Sequence, residues 1–123
     1  MPRKIIGLVE KILVTGPDRS IMLRAKMDTG SERSSVDSKI ADRLGLGPVV
    51  RYVRIRTSAT DSPVKRPVVK ARIRLAGEQF TVHLGVTDRS RLRYRAIVGN
   101  DVLASGRFLI DPTKPPPPPS PPK

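Results

Sequence analysis

"AKMDTGSERSSV", residues 25–36, sets one carboxylate, Asp28, between an apolar strand and a Thr-Gly turn. The segment leading into it, IMLRAKM (21–27), alternates. Leu23, Ala25 and Met27 fall on one face and Arg24 and Lys26 on the other, the period of a half-buried strand. An acid at the end of such a strand, followed by Thr29, Gly30 and Ser31, is either an ordinary turn residue or a chemical group held in a fixed place. Three residues alone cannot decide between the two, so the reading depends on what surrounds them.

Outward from this turn the pattern is β-rich. IIGLVEKILV (5–14) is apolar and β-branched and predicts a strand, and TGPDRS (15–20) has turn chemistry. SKIADRLGLG (38–47) predicts one or two helical turns, with Asp37 as N-cap, Ile40 and Leu44 on one face and Gly45 as the stop. YVRIR (52–56) and VVKARIRL (68–75) alternate: Val53, Ile55, Val69, Ala71, Ile73 and Leu75 point one way, Arg54, Arg56, Lys70, Arg72 and Arg74 the other. Between them TSATDSPVKRP (57–67) reads as a projecting hairpin tip, because Pro63 and Pro67 suit edge or loop positions. AGEQ (76–79) predicts a turn, FTVHLGV (80–86) a strand and TDRSRLRYR (87–95) a basic loop running into a short strand. AIVGNDVLASG (96–106) reads as an apolar run, a Gly, a short helix and a Gly stop, and RFLID (107–111) as a last strand. PTKPPPPPSPPK (112–123) cannot donate ladder hydrogen bonds and predicts a disordered polyproline-type tail. Six or seven short strands, two short helices and no βαβ rhythm indicate a mainly β domain over residues 1–111, a small barrel or closed sheet.

Composition narrows the chemistry. The 123 residues suffice for one domain with a small core. Aromatic residues are 3% of the chain and Trp is missing, so the core must be aliphatic. With no Cys and only His83, disulfide and thiol chemistry are excluded and a zinc site, which needs clustered Cys, His and carboxylates, finds no ligand set. We expect no metal and no cofactor; no Gly-Lys phosphate loop is present for ATP. The net charge is +13, and only Lys114 and Lys123 lie beyond Pro112, so the excess belongs to the domain itself. Such a field attracts polyanions: an acidic peptide or protein, or nucleic acid. Few aromatic residues are available for base stacking, which leaves nonspecific phosphate contact. Neither a signal peptide nor a membrane-spanning run is seen, and the expectation is a soluble cytoplasmic protein with no membrane partner.

The order DTG (28–30), AIVGNDVL (96–103), short helix, final strand resembles the retropepsin-like aspartic proteases. KRPVVKARIRL (65–75), VTDRSRLRY (86–94) and GRFLIDP (106–112) resemble more closely the microbial retropepsin-like family that carries the name ATP-dependent zinc protease, of the glutamate-tail-processing type. The likeness covers residues 5–112. It implies a barrel of retropepsin type acting as a homodimer, with Asp28 as the catalytic acid. It further implies that Thr29, Gly30, Ser31 and Gly99 support the active-site turn, and that Thr57, Ser58, Ala59 and Arg66 belong to a flap that binds substrate. Two positions depart from that family: Asn100 stands where Arg is common, and Glu32 where a basic or neutral residue is. From that likeness, a salt bridge that supports the active-site turn is expected to be rewired.

Physical chemistry agrees with that likeness. Hydrolysis of a peptide bond by carboxylates needs two acids that share one proton. One Asp-Thr-Gly in the chain means that the second acid comes from a second copy. The family likeness also implies an aspartic peptidase acting on acidic, glutamate-rich peptides or protein tails, with an ATP-grasp glutamate ligase as partner. The alternative is a catalytically silent basic barrel that binds RNA or an acidic protein.

Overall fold

The computed structural model of the chain describes residues 2–55 and 64–119. Along it run β1 (Ile5–Ile6), β2 (Val9–Thr15), β3 (Ser20–Met27), β4 (Ser35–Asp37), α1 (Ser38–Leu44), β5 (Val49–Ile55), β6 (Val64–Leu75), β7 (Glu78–Thr87), β8 (Ala96–Val98), α2 (Asn100–Ser105) and β9 (Leu109–Ile110). Neighbours in the main sheet run β2-β3-β8-β4-β7-β6-β5, and β2 also pairs with β6. That extra ladder, Leu13 to Arg74 through Thr15 to Arg72, closes six strands into a barrel with β5 attached outside β6. The expected mainly β closed barrel with two short helices is thus the observed architecture.

Alternation predicted the barrel wall. On β3 the burial runs exposed–buried in register with the sequence, and on β6 Val69, Ala71, Ile73 and Leu75 are buried while Lys70, Arg72 and Arg74 face water. The inward set joins Ile12, Val14, Leu23, Leu84 and Val98 in one largely aliphatic core that also takes in Phe108. Phe108 meets Phe80 edge to face at 6.0 Å. The tight β6–β7 turn uses Ala76 at φ 52° and Gly77 at φ 80°, two successive left-handed residues that match the twist of a hairpin.

Several sequence expectations are corrected. Residues 5–14 form two strands, not one: β1 pairs parallel with β9, then the chain breaks at Gly7-Leu8 before β2 pairs with β3. The Glu10 carboxylate fixes that break by accepting the Gly7 N–H at 2.7 Å. β4, three buried residues, was not foreseen, because a strand so short has no period to read. The projecting tip is shorter than residues 57–67: Val64–Pro67 already belong to β6 and pair with β5. Pro67 is tolerated because it faces Tyr52 on one side only, the β7 ladder starting at Val68. The turn between β6 and β7 is only Ala76-Gly77, since Glu78 and Gln79 pair with Leu75 and Arg74. Thr57, Ser58 and Ala59 lie outside the described residues.

Past β9 the chain turns on Asp111, whose Oδ1 accepts the Thr113 N–H at 2.9 Å and its hydroxyl at 2.7 Å. Lys114 then reaches back to Glu10 of β2, Nζ to Oε2 2.7 Å.

The aliphatic core sets the stability. Ile73, 1% exposed, sits where β6 is paired on both sides, with β2 and with β7. Ile73→Ala is expected to lower the unfolding free energy by about 2–5 kcal/mol, read as a lower denaturation midpoint in urea at unchanged slope.

Candidate active site

Asp28 follows β3, and its backbone N–H donates to Val98 O of β8 at 2.8 Å. Its side chain turns back on its own loop: Oδ1 accepts the Gly30 N–H at 2.9 Å and Oδ2 the Ser31 hydroxyl at 3.2 Å. A second bond, Ser31 N–H to Asp28 O at 3.1 Å, closes the turn. The carboxylate is therefore half-buried and oriented by local donors. Thr29 and Gly30 are exposed, and the Thr29 hydroxyl makes no hydrogen bond among the described residues.

β8 lies between β3 and β4, although the chain runs directly from β3 through this turn to β4. The segment 28–34 must cross over the end of β8, and Gly99 is the crossing point. A Cβ there would stand 2.7 Å from Ser31 O and 2.8 Å from the Arg33 carbonyl carbon, both backbone atoms that cannot step aside. Glycine allows that approach because it has no side chain. Two side chains tie the crossing. Buried Ser34 donates its hydroxyl to Asp101 Oδ1 at 2.8 Å and its N–H to Oδ2 at 3.0 Å, while its Oγ accepts the Gly99 N–H at 3.0 Å. Asn100 donates its amide to Thr29 O at 2.7 Å, and its own N–H to Ser31 O at 2.8 Å. Asn100 thus ties the turn through neutral hydrogen bonds.

Beside the turn, a cavity of about 320 Å³ opens between Ser31, Ser34 and Ser35 on one side and Arg54, Ile55 and Arg66 of the β5–β6 hairpin on the other. The Arg66 stem lies against Gly85, its Cδ 3.2 Å from where a Cβ would be, and burial pushes its guanidinium pKa down. Arg89 is half-buried nearby. Burial and then the Arg66 charge lower its pKa, while Asp37 and Asp28 raise it, so its cation lies in the field of both acids. Its Nε donates to Tyr94 O at 3.0 Å.

Asp37 corrects a further expectation. It stands at the N-cap position of α1 but makes no side-chain capping bond. Instead Oδ1 accepts the Arg89 N–H at 2.7 Å and Oδ2 the Arg95 guanidinium at 2.5 Å. Burial by itself raises this carboxyl's pKa. The Arg95 hydrogen bond, the Arg89 N–H and the Arg95 charge together outweigh that and hold it below the ordinary range. Asp88, in contrast, is exposed and organises its own turn, accepting the Ser90 N–H and hydroxyl at 2.9 and 2.6 Å.

The structure therefore brings Asp28, Thr29, Gly30, Ser31 and Gly99 together, with Arg66 across the cavity. Sequence reasoning missed Ser34, Asp37, Arg89 and Asp101. Each acts on a partner far along the chain, and no local spacing marks it. Among the described residues no group of three or more His, Cys, Asp or Glu side chains converges as a metal ion requires. No helix among them is long and apolar enough to cross a membrane.

A closed barrel with an acid turn laid over a glycine crossing, a short helix after it and a hairpin beside it defines the retropepsin-like class. Residues 37–115 match the family model described as RimB-like, retropepsin-like aspartic endopeptidase RimB. The chain belongs to the RimB-like family. The matched segment begins after the Asp-Thr-Gly turn and takes in Gly99, and its description is an aspartic endopeptidase, without the zinc protease name expected from the sequence. Among solved structures the chain is similar to Lpg0085 of Legionella pneumophila, a protein of unknown function, with 25% identity over 92% of this chain and 96% of that one, TM-score 0.63. It is also similar to the EIAV protease solved with the inhibitor HBY-793, with 18% identity over 84% of this chain and 90% of that one, TM-score 0.64. The simian foamy virus (mac) protease follows, with 11% identity over 85% and 98%, TM-score 0.55. The two viral likenesses speak for the fold. No curated protein matches the chain.

The Asp37 network yields a pH test. A carboxyl whose folded pKa is depressed contributes stability above its unfolded pKa and loses it as pH falls through the folded value. Asp37→Asn is expected to cost on the order of 1.5–3 kcal/mol at neutral pH, as for charge-assisted hydrogen bonds, and nothing comparable in strong acid. Unfolding curves at several pH values check this; a cost independent of pH would contradict it.

Proposed function

We propose that the protein is a homodimeric aspartic endopeptidase in which Asp28 of each protomer shares one site. The observation that carries this reading is the orientation of Asp28: both its oxygens are held by its own turn, over the Gly99 crossing, beside a cavity roofed by a hairpin. A lone carboxylate so displayed has no acid to work with, and a two-fold partner supplies one. The exposed Thr29, and on the β1–β9 ladder the exposed apolar pair Ile5 and Leu109, 59% and 44% accessible, offer surface for a second copy of the chain.

In this mechanism one Asp28 is ionised and takes a proton from water as its oxygen attacks the scissile carbonyl carbon. Asp28 of the partner subunit is protonated and donates a hydrogen bond to the carbonyl oxygen. The tetrahedral intermediate collapses as the C–N bond breaks, and a proton passes to the departing nitrogen. Ser31 and the Gly30 N–H hold the carboxylate in place through these steps. The extended peptide lies under the hairpin through main-chain hydrogen bonds.

The substrate in this reading is an acidic peptide or a glutamate-rich protein tail, with an ATP-grasp ligase as the enzyme that makes it. Arg33, Arg54 and Arg66 line the cavity against one acid, Glu32, and Arg89 lies nearby, so the net positive field there favours a carboxylate side chain over a neutral one. A second reading, a basic barrel that binds nucleic acid, is favoured by the row Lys70, Arg72 and Arg74. All three are exposed, and none has a salt-bridge partner among the described residues.

Asp28→Asn is expected to abolish peptide cleavage with the thermal unfolding profile retained; persistent turnover would refute the role of Asp28. Glutamate-rich peptides should be cleaved at least tenfold faster than neutral peptides of equal length, and the preference should shrink at high salt. Equal rates would remove the argument from charge. Absence of cleavage together with a salt-sensitive gel shift that Asp28→Asn leaves unchanged would favour the second reading.

A further inference from the structure

Tyr94 is half-buried at the end of the basic loop before β8, and two guanidiniums stand against its ring: Arg93 with Cζ 5.5 Å from the centroid and Arg24 of β3 with Cζ 5.8 Å. With Met22, Leu23 and Arg95 they line a groove of about 200 Å³, and the remaining wall is Pro119. An aromatic ring flanked by long flat side chains is the surface on which polyproline segments dock, because such a segment is already extended and loses little entropy on binding. A run of consecutive prolines, residues 115–119, ends there.

The other end of that run is tied down independently. Lys114 Nζ meets Glu10 Oε2 at 2.7 Å, and the same oxygen accepts the Gly7 N–H. The Lys114 stem lies against Gly7, its Cβ 3.3 Å from where a side chain would begin. Between the two anchors Pro117 is half-buried while its neighbours are exposed. The distances agree as well. Glu10 is opposite Ala25, and Met22 is three residues back along the same strand, about 10 Å at the rise of a strand. Five residues of polyproline helix reach about 15 Å, enough to run along β3 and step sideways to Tyr94.

We propose that the groove of Tyr94, Arg24 and Arg93 is a polyproline-binding site, and that its resident ligand is the chain's own segment 115–119. The strap joins β2 and β3 to the loop before β8. That loop carries Arg89, which is bonded to the Tyr94 carbonyl, and Arg95, which is bonded to Asp37. The tail thereby braces the cationic side of the Asp28 site from outside the barrel.

The chain has no Cys, so Pro119→Cys offers a unique position for a nitroxide on the full-length protein. The Met22 methyl and Tyr94 ring signals are expected to broaden strongly by paramagnetic relaxation. Tyr94→Phe should preserve the Met22 effect, since the ring and not the hydroxyl is the platform. Tyr94→Ala should weaken it at least twofold, with core methyl shifts unchanged to report an intact fold, and Tyr52→Ala should leave it unaltered. Met22 broadening no greater than that of free nitroxide in the Pro119→Cys chain, or equal broadening with Tyr94→Ala, would overturn the proposal. Glu10→Gln, which releases the anchor at Lys114, is expected to weaken the broadening at least twofold; no change would remove the anchor from it.

Discussion

The arrangement depends on one close crossing. The loop that carries Asp28 passes over the end of β8 with its backbone against Gly99, too near for any other residue. Because β8 lies between β3 and β4, that crossing links three strands at one point. Ser34 and Asp101 hold it shut with three hydrogen bonds around a buried hydroxyl, so a polar cluster is stable inside an aliphatic barrel. A buried hydroxyl without those partners would cost free energy; with them it rigidifies the turn. The carboxylate of Asp28 inherits that rigidity.

Charge is organised around the same point in two ways. Asp37 takes a guanidinium and an N–H from the loop before β8, drawing that basic segment inward against the barrel. Arg66 and Arg89 are held half-buried and keep their positive field over the cavity. A guanidinium remains protonated under such conditions. The result is a cationic cleft beside an acid turn. Beyond the barrel, the ion pair of Glu10 with Lys114 directs the proline run back along β3, so the last described residues belong to the same electrostatic and packing scheme.

Much of the wall was legible in the amino-acid sequence. The alternation of Leu23, Ala25 and Met27 against Arg24 and Lys26, and of Val69 to Leu75 against Lys70 to Arg74, survives in the observed burial because period-two patterning has only one way to bury an apolar face. Asp-Thr-Gly, the late apolar-Gly segment and the helix after it were visible as an ordered set. The boundaries were less so. β4 is three residues long, β1 is two, and Pro67 lies inside a strand because its neighbour on one side has not yet begun.

By itself, then, the sequence determined which residues face inward, where the acid turn falls, that aliphatic side chains must build the core, and that the domain is strongly basic. Tertiary structure alone decided that β8 slips between β3 and β4, that Ser34 finds Asp101, and that Asp37 serves Arg89 and Arg95 instead of its own helix. The physical reason is distance along the chain. Ser34 and Asp101 are 67 residues apart, and a hydrogen bond between them leaves no local periodicity, only a meeting place that exists once the barrel has closed.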